Sequence, residues 1–402
     1  MITKIEGGIT AASGFLATGV HCGIKRQKKD LAMVFSTAPA TAGAVFTTNK
    51  VVAAPLVADK EQLVRSNSFR CVVVNSGNAN ACTGAQGLSD AWEMIRRGAA
   101  AAGVGEHEVF VSSTGVIGQT LPMEKVRQGV VEAARQLTRE GHHDAAEAIL
   151  TTDTFVKEFA VSCGLGSGVI HIGGMAKGSG MIAPNMATML AFVTTDAAID
   201  RAVLQRAVGR ASDRSFNRIS VDGDTSTNDM VLVLANGAAG NPQILQEQDP
   251  AYEIFYQGLE QVLAELSRLI VRDGEGATKF VRIDVVGASS EAEAVTAARA
   301  IANSNLVKTA IHGEDANWGR ILAAVGYSGI DFDPEKVEIL LSGLPILRPN
   351  FVINFSEEEA KRVLQEKEIT ITVSLNCGNE SATFWTCDLS KRYVEINANY
   401  RS

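Results

Sequence analysis

The most constraining feature of the sequence is the run GGMAKGSGMIAPNMATMLAFV, which covers residues 173–193. Its glycines allow backbone angles that other residues rarely adopt, and Pro184 interrupts regular structure because it has no N–H. A mainly apolar run from Met186 to Val193 follows without a linker and predicts a buried strand. The first residue of that run able to act as a nucleophile is Thr188. The sequence therefore places a hydroxyl at the junction between an irregular loop and a rigid strand.

A hydroxyl at such a junction can attack the carbonyl carbon of the preceding residue, Ala187. If the Ala187–Thr188 bond breaks, Thr188 starts a new chain and carries a free α-amine beside its hydroxyl. An α-amine has a pKa of about 7.7–8.0, so it can serve as the general base without a histidine. The alternative is an ordinary turn followed by a strand in which threonine is only a good β-former. A phosphate-binding loop is excluded because Ser179 stands where that motif needs lysine.

Composition excludes several classes of function. The chain has 402 residues, of which 46% are apolar and 20% charged, as is typical of a globular enzyme. Its net charge is −8, and its longest basic cluster, Lys25-Arg26-Gln27-Lys28-Lys29, predicts a solvated loop rather than a nucleic-acid interface. No apolar run reaches the ~18 residues that span a bilayer. The start, MITKIEGG, lacks the apolar core of a signal peptide.

The cysteines and histidines bear on compartment and metal content. The six cysteines are scattered without a C-x-x-C pair, and the six histidines lack metal-ligand spacing. We therefore expect a cytoplasmic protein with reduced thiols, no cofactor and no metal, which binds neither nucleic acid nor membranes.

Alternating strand and helix patterns predict a mixed α/β fold. The predicted strands are Leu31–Ser36, Gly43–Thr48, Arg70–Asn75, Val109–Val111, Phe155–Cys163, Gly168–Gly173, Ile219–Val221, Met230–Ala235, Val337–Leu341 and Ile369–Leu375. The predicted helices are Ser89–Ala101, Met123–Leu137, Ala145–Leu150, Arg201–Ser212, Tyr252–Val271, Glu291–Asn303 and Glu357–Glu366. The last two begin with the capping boxes Ser290/Glu293 and Ser356/Glu359.

Several polar segments are candidates for a site. Ser112–Gly118 follows a strand and leaves backbone N–H groups free to face a ligand, although such a segment is usually only a turn. Asp222–Asp229 is a dense acidic, hydroxyl-rich loop without the spacing of a calcium loop. Glu275 has glycine on both sides, which predicts a prominent carboxylate on a mobile turn, with a solvated loop acid as the alternative.

The run KGSGMIAPNMATMLAF, residues 177–192, resembles the cleavage-site signature of the ornithine acetyltransferase (glutamate N-acetyltransferase) family of arginine biosynthesis. Four further segments match motifs of that family: GDTSTND at 223–229, DGEGATK at 273–279, IHGEDANWGR at 311–320 and INANYRS at 396–402. The matches extend from near residue 75 to the last residue, with no departure at a motif position.

The resemblance implies a role for particular residues. The chain is expected to cut itself between Ala187 and Thr188 and to carry the acetyl group on Thr188. Thr114 and Gly115 are expected to form the oxyanion hole. The expected substrate contacts are Thr151, Lys177, Thr188, Glu275, Asn397 and Ser402. The helix end at 151–154 leaves the register open between Thr151 and Thr152, and a helix cap is the alternative there.

The resemblance also implies a fold and a reaction. It predicts an αββα sandwich core over residues 1–280 and a smaller α+β domain over 281–402. The expected reaction moves acetyl from N2-acetylornithine to Thr188 and then to glutamate, with the cleaved chains forming an α2β2 heterotetramer. Lys177 would hold the α-carboxylate, and Glu275 would contact the ornithine ammonium. When glutamate binds instead, its side-chain carboxylate would meet the like charge of Glu275, and the sequence offers no solution to this conflict.

Some alternatives stay open at this point. The sequence does not decide whether acetyl-CoA also serves as a donor. One rival function is a self-cleaving aminopeptidase that uses the same nucleophile with water as acceptor. The other is an amino-acid-binding protein without catalysis.

Overall fold

The structure is a computed structural model, and it describes residues 1–166, 168–182 and 189–399. Ala187, Thr188 and Ser402 therefore lie outside the described residues. The strands are β1 (Ile2–Ile5), β2 (Phe15–Val20), β3 (Leu31–Phe46), β4 (Phe69–Asn78), β5 (Val109–Val116), β6 (Lys157–Gly164), β7 (Val169–Lys177), β8 (Leu190–Thr195), β9 (Ile219–Ser220), β10 (Met230–Ala235), β11 (Phe280–Ala288), β12 (Glu338–Leu341), β13 (Leu344–Leu347), β14 (Glu368–Ser374) and β15 (Glu380–Cys387).

Eleven helices accompany these strands in the described ranges. They are α1 (Ala54–Arg65), α2 (Gly84–Ala102), α3 (Met123–Arg135), α4 (His142–Ala148), α5 (Arg201–Asp213), α6 (Pro250–Arg272), α7 (Glu291–Asn303), α8 (Asn305–His312), α9 (Trp318–Gly326), α10 (Glu357–Leu364) and α11 (Lys391–Asn399). None of them, in the ranges that the structure describes, is long and apolar enough to cross a bilayer.

The long strand β3 connects the two sheet layers of the core. Strands follow the order β1-β6-β7-β8-β10-β3-β4-β5, and β2 pairs with β3 beside β4. The second half of β3 pairs with β10, whereas its first half pairs with β2 and β4. The prediction of two separate strands, Leu31–Ser36 and Gly43–Thr48, is therefore wrong. The pairing with β4 shifts register between Phe35 and Ala40, and Pro39, which has no N–H to donate, lies within that irregularity.

Side-chain alternation along the strands separates the core into layers. Phe192 of β8 and Val72 of β4 belong to one apolar cluster, which fills the space between the two sheet halves. Their neighbours point the opposite way: Val193 joins the cluster that contains residues of α5 and α6, and Val73 joins the cluster that contains residues of α2 and α3. Because successive side chains of a strand face opposite sides, the order is helix, sheet, sheet, helix. The predicted αββα sandwich is confirmed.

The second sheet has the order β13-β12-β14-β11-β15-β9. Helix α7 packs on β11 and β15, and the apolar cluster beneath it comes entirely from the range 281–384. Strand β9 belongs to this sheet although it precedes the others by about sixty residues in the chain. The proposed boundary between residues 280 and 281 stays a prediction.

Local signals at the helix ends are reproduced in part. Helix α7 has the predicted bounds, and the Ser290 and Ser356 hydroxyls accept hydrogen bonds from the N–H groups of Glu293 (3.2 Å) and Glu359 (3.3 Å). The reciprocal half of the first box differs, since the Glu293 carboxylate accepts from the Ser289 hydroxyl. Helix α4 begins at His142, earlier than predicted.

Two glycines give a test of this packing. A Cβ on Gly19 of β2 would lie 1.9 Å from the Asp144 carbonyl oxygen of α4, whereas a Cβ on Gly209 of α5 would meet nothing within 4 Å. Gly19→Ala should therefore lower the free energy of unfolding by about 1–3 kcal/mol, as overpacking does. Gly209→Ala should raise it by roughly 0.5–1 kcal/mol, because alanine is the better helix former. Denaturant titration measures both, and an unchanged midpoint for Gly19→Ala would contradict the close contact of β2 with α4.

Candidate active site

An open cleft of about 580 Å³ lies where the ends of β5 and β7 meet the loop after α6. Its walls include six of the residues predicted from the sequence: Thr114, Gly115, Thr151, Lys177, Glu275 and Asn397. The other residues along the walls are Ile117, Thr152, Gly180, Met181, Ser226, Thr227 and Asn228. The structure thus brings together residues that are separated by up to 283 positions in the chain (397 − 114).

Gly115 occupies the end of β5 because no other residue fits there. Its φ is +131°, outside the usual range of L-residues. A Cβ at this position would lie 2.4 Å from the carbonyl carbon of Gly77 and 2.5 Å from the nitrogen of Asn78 in β4. The strand was predicted to end at Val111, but it continues to Val116, so Thr114 and Gly115 are held by the sheet rather than by a turn.

The outer edge of β5 is covered by side chains instead of a further strand. Gln62 donates to the Val109 carbonyl (2.9 Å), and the Asp59 carboxylate accepts from the Val111 N–H (2.9 Å). Farther along the same edge, the Asn228 amide donates to the Ser113 carbonyl (2.8 Å). Since backbone groups alternate between the two edges of a strand, the next residue to face this edge is Gly115. Its N–H consequently points toward the cleft side of the sheet.

Lys177, at the end of β7, lies beside Thr114. It is only 4% exposed, and its Nζ donates to Thr114 Oγ1 at 3.3 Å. Burial lowers the pKa of the Lys177 ammonium below its ordinary value, while the nearby Asp153 opposes that shift. Because the Thr114 oxygen already accepts from Lys177, the Thr114 hydroxyl proton remains available for an acceptor in the cleft.

A buried ion cluster supports this wall. Lys157 Nζ contacts the carboxylates of both Asp153 (2.7 Å) and Asp273, and all three side chains are essentially inaccessible. Asp153 also accepts from the backbone N–H groups of Thr151 (2.9 Å) and Gly178 (2.7 Å). Although burial raises the pKa of Asp153, the Lys177 and Lys157 ammonium groups outweigh burial and hold it below its usual range. The cluster therefore fixes the backbone on both sides of the cleft.

Both threonines considered for one contact, Thr151 and Thr152, line the cleft. The Thr152 hydroxyl is within hydrogen-bond distance of the Ser179 hydroxyl (2.7 Å). The Ser179 carbonyl in turn accepts from the Glu275 N–H (2.9 Å). The choice between Thr151 and Thr152 stays a prediction.

The acidic loop at 222–229 holds the backbone on both sides of the segment 183–188. The Asp222 carboxylate accepts from the N–H groups of Met181 (2.6 Å) and Ile182 (2.8 Å). The Asp229 carboxylate accepts from the N–H of Met189 (2.7 Å). The sequence indicated that this loop matters but gave its members no individual roles, and these contacts supply two of them.

Glu275 is not the solvated, mobile acid that its flanking glycines predicted. It is 8% exposed, and a Cβ on Gly180 would lie 2.3 Å from its carboxylate oxygen. That close approach explains the glycine at position 180. The Asn397 amide donates to Glu275 Oε2 (2.7 Å). Asn397 and Glu275 thus meet within a single chain.

The C-terminal segment is held through α11. Its Tyr393 hydroxyl donates to Asp222 (3.2 Å), and the Ser390 hydroxyl donates to the Gly276 carbonyl (2.5 Å). A Cβ on Gly276 would lie 2.5 Å from the Tyr393 nitrogen, so the loop and the helix are in direct contact. Tyr400 lies outside the described residues.

The sequence missed the supporting groups of the site. Asp153 and Lys157 gave no readable signal because their importance depends on burial and on partners distant in the chain, Gly178 for Asp153 and Asp273 for Lys157. Across residues 1–166, 168–182 and 189–399, no group of three or more His, Cys, Asp or Glu side chains is arranged to hold a metal ion.

Comparison with protein families gives one match over nearly the whole chain. The model of the ArgJ family matches residues 16–402. "Arginine biosynthesis bifunctional protein ArgJ" of Symbiobacterium thermophilum is 53% identical over 401 residues, which cover 99% of each chain. The protein of the same name from Caldanaerobacter subterraneus subsp. tengcongensis is 52% identical over 402 residues, with 99% of each chain covered.

Two solved structures are similar to part of the chain. "Arginine biosynthesis bifunctional protein argJ" from Bacillus halodurans is 45% identical with a TM-score of 0.44, and the match covers 46% of this chain and 97% of that one. The ornithine acetyltransferase of Mycobacterium tuberculosis, complexed with ornithine, is 40% identical with a TM-score of 0.43, and the match covers 46% and 99%.

The ion cluster predicts a specific dependence of stability on pH. Because the pKa of Asp153 in the folded state lies below its ordinary value of about 3.9, its stabilisation is present above that pH and is lost as the pH falls below it. Asp153→Asn should cost about 3–5 kcal/mol near pH 7, since it leaves Lys157 incompletely paired. The difference from the parent protein should shrink below about pH 4.

Denaturant midpoints at several pH values measure this difference. The exposed Asp331 provides the matched control, and Asp331→Asn should have little effect at any pH. A cost of Asp153→Asn that stays constant from pH 7 to pH 3 would contradict an electrostatic role for this carboxylate.

Proposed function

Because the chain belongs to the ArgJ family, we propose that it moves acetyl from N-acetylornithine to glutamate through an acetyl ester on Thr188. At the coarser level, the chain is an acetyltransferase of arginine biosynthesis. One observation carries the finer proposal: Thr114, Gly115, Lys177, Glu275 and Asn397 line a single cleft. Met181 and Met189, which lie on either side of the segment 183–188, are hydrogen-bonded to a loop of the same cleft.

The first step is self-cleavage. The Thr188 hydroxyl attacks the Ala187 carbonyl carbon, the C–N bond breaks, and an ester forms between the two residues. Water then hydrolyses the ester, which leaves a carboxylate on Ala187 and a free amine on Thr188. The proposal is supported by the bonds from Asp222 and Asp229 to the backbone on either side, because they restrict where the reacting bond can lie.

Acetyl transfer follows at the new chain start. The Thr188 hydroxyl attacks the acetyl carbonyl of N-acetylornithine while its own α-amine takes the proton. When the tetrahedral intermediate collapses, the C–N bond breaks and the protonated Thr188 α-amine gives that proton to the departing α-nitrogen, so ornithine leaves with a free α-amine. The glutamate α-amine then attacks the ester, and N-acetylglutamate departs. Two half-reactions through a covalent enzyme predict ping-pong kinetics.

The negative charge of the intermediate needs donors that are already in place. The Gly115 N–H faces the part of the β5 edge beyond the Asn228 contact, and Lys177 leaves the Thr114 hydroxyl proton free to donate. Donors fixed by a sheet need no reorganisation when charge develops, which is the main advantage of an oxyanion hole. We assign this role to Thr114 and Gly115.

Lys177 is also suited to a substrate carboxylate. Burial disfavours its charged form, and an anion bound beside it would restore that form. Ornithine and glutamate share an α-carboxylate, so the same contact serves both half-reactions. Thr151, Asn397 and Ser402 are assigned to the remaining polar groups of the amino acid.

At the side-chain end of the substrate, the cleft offers a hydrogen-bond acceptor, the Glu275 carboxylate, beside a donor, the Asn397 amide. Glu275 can accept from the ornithine ammonium, whereas the Asn397 amide, which donates to Glu275, can instead donate to a glutamate carboxylate. Two interchangeable partners within 2.7 Å of each other offer a way for one cleft to accept both substrates.

We further propose that the fragments 1–187 and 188–402 remain together and form an α2β2 assembly in the cytoplasm. Strand β8 pairs with β7, and β10 pairs with β3, so each fragment would contribute strands to one sheet. Acetyl-CoA is included as a second acetyl donor.

The acetyl-enzyme is the direct test. A denaturing gel of the purified protein should show two fragments, with the second beginning Thr-Met-Leu-Ala-Phe. Incubation with N-acetylornithine alone should add one acetyl group to that fragment, as measured by mass spectrometry, and glutamate should remove it with formation of N-acetylglutamate. Thr188→Ala should stay uncut and unacetylated.

Other outcomes would contradict the proposal. An acetyl-enzyme that reacts with water at least as fast as with glutamate would indicate a hydrolase. An intact chain that binds ornithine without turnover would indicate a binding protein. A second fragment that starts at any other residue would refute Thr188 as the nucleophile.

The oxyanion assignment predicts a split between kcat and KM. Thr114→Ala should lower kcat by about 10²-fold or more with little change of KM, because the lost donor acts on the transition state. Thr114→Ser retains a hydroxyl and is the matched control, expected to keep most of the activity. Steady-state kinetics with N-acetylornithine and glutamate measure both. A higher KM with unchanged kcat would mean that Thr114 only positions the substrate.

A further inference from the structure

The basic cluster between β2 and β3 is not explained by amino-acid transfer. The loop at 21–30, HCGIKRQKKD, contains Lys25, Arg26, Lys28 and Lys29 in a protein whose net charge is −8. A concentration of positive charge on an acidic protein attracts anions locally, against the field of the whole molecule.

This loop has a defined fold. The Asp30 carboxylate is fully buried and accepts hydrogen bonds from the N–H groups of Cys22 (2.7 Å), Gly23 (3.0 Å) and Lys25 (2.8 Å). The Ser76 N–H also donates to the Asp30 carbonyl (2.9 Å), which attaches the loop to the end of β4. The buried acid therefore holds the backbone of residues 22–25 in a compact turn.

The loop adjoins the cleft. Lys25 Nζ donates to the Leu150 carbonyl (3.0 Å), and Leu150 precedes Thr151 of the cleft wall. The Lys25 side chain also lies 2.9 Å from where a Cβ of Gly77 would be, and Gly77 is the residue against which Gly115 packs. Lys25 thus lies against Leu150 and against Gly77, and each of these two residues adjoins a residue of the cleft wall.

The charges of the loop are not equally available. Lys29 is paired with Asp144 and with Glu147 (3.1 Å). Lys25 serves as the anchor, and burial lowers its pKa to about 8. Arg26 and Lys28 are exposed and form no ion pair within the ranges that the structure describes. These two side chains can therefore contact an external anion without breaking an internal bond.

Lys125 adds a further positive charge at the same place. Its Nζ, on α3, donates to the Gly23 carbonyl (2.6 Å) and so lies against the loop. The loop and α3 thus bring cationic groups from two elements together next to the cleft wall. Neither N-acetylornithine nor glutamate carries a phosphate for these groups to bind.

We propose that the loop Lys25–Lys29 is a phosphate-binding rim for acetyl-CoA, which binds with its phosphates on Arg26 and Lys28 and its thioester in the cleft. Lysine and arginine are the usual partners of phosphate oxygens, and the pantetheine arm of CoA is uncharged and long enough to separate the two ends. The inference rests on the proposed function, in which Thr188 is the acetyl carrier.

The chemical step is the same acyl transfer with another leaving group. The Thr188 hydroxyl attacks the thioester carbonyl, a C–O bond forms and the C–S bond breaks. The hydroxyl proton passes to the Thr188 α-amine and then to the departing CoA thiolate. The products are free CoA and the acetyl-enzyme that N-acetylornithine also generates, so glutamate completes both reactions identically.

The test compares the two donors in one variant. Arg26→Glu/Lys28→Glu should raise KM for acetyl-CoA by about tenfold or more at low salt, because two attractions become repulsions. KM and kcat with N-acetylornithine should stay within about twofold, since neither side chain lines the cleft. The increase in KM should shrink at high ionic strength, where exposed charges are screened.

A matched control separates a local site from overall charge. Arg96→Glu/Lys367→Glu changes the net charge equally at two exposed positions away from the loop, and it should leave both KM values unchanged. Acetyl-dephospho-CoA, which lacks the 3′-phosphate, should bind more weakly to the parent protein and should be less affected by Arg26→Glu/Lys28→Glu. The difference between the effects of Arg26→Glu/Lys28→Glu on KM for acetyl-CoA and for acetyl-dephospho-CoA would measure the coupling between the loop and the 3′-phosphate.

The outcomes distinguish this inference from the proposed function. If N-acetylornithine acetylates Thr188 but acetyl-CoA does not, the phosphate rim is refuted and the proposed transfer stands. If acetyl-CoA is used with the same KM by the parent and the loop variant, the rim is also refuted. If neither donor acetylates Thr188, the proposed function fails and the inference fails with it.

Discussion

The Lys157 ammonium group pairs with Asp153 and also with Asp273, which is 116 residues farther along the chain than Lys157, and the cleft depends on this link. On one side it meets Asp153, whose carboxylate accepts from the backbone N–H groups of Thr151 and Gly178 and so holds two segments of the cleft wall. On the other it meets Asp273, two residues before Glu275. Because Lys157 belongs to β6, the network attaches both loops to the sheet rather than only to each other. Buried charges are costly unless paired, so the loops cannot separate without exposing an unpaired ion.

The second constraint is the open edge of β5. An uncovered sheet edge usually invites association with other chains. Among the described residues, Gln62, Asp59 and Asn228 occupy the edge in succession, and their cover stops where Gly115 begins. The proposed oxyanion hole is therefore the part of the edge that these three side chains leave open. Only glycine can take this place, since its φ and its contact with β4 exclude a side chain.

Local patterns predicted the elements well where local interactions determine them. Helix α7 and strand β10 have their predicted bounds because a capping residue and a short continuous apolar run are local signals. The family motifs likewise identified six residues that line the cleft.

Errors arose where distant contacts decide the structure. The continuity of β3 through Pro39 depends on partners in β4 and β10, and no local signal reports it. Glycines around Glu275 suggested mobility, but Gly180 and α11 cover it from segments remote in the chain. The role of Lys157 could not be predicted either, because nothing in the sequence around a lysine shows which carboxylates lie next to it in the fold.

The position of β8 connects the proposed cut with the proposed catalysis. A chain terminus normally frays, yet an N-terminal nucleophile must hold its hydroxyl and amine within tenths of an ångström of their working positions. Strand β8 begins at Leu190, directly after the segment that contains Thr188, and it is paired with β7 on one side and β10 on the other. In the parallel register Leu190 lies opposite Met230, which sets Asp229 beside the Met189 N–H that it accepts from.

One of those partner strands precedes the cut and the other follows it. The pairing that would keep the new terminus in place is therefore also the pairing that would keep the two fragments together. A protein built in this way can break its own backbone at the active site without loosening it, because the sheet already supplies the connection that the peptide bond gives up.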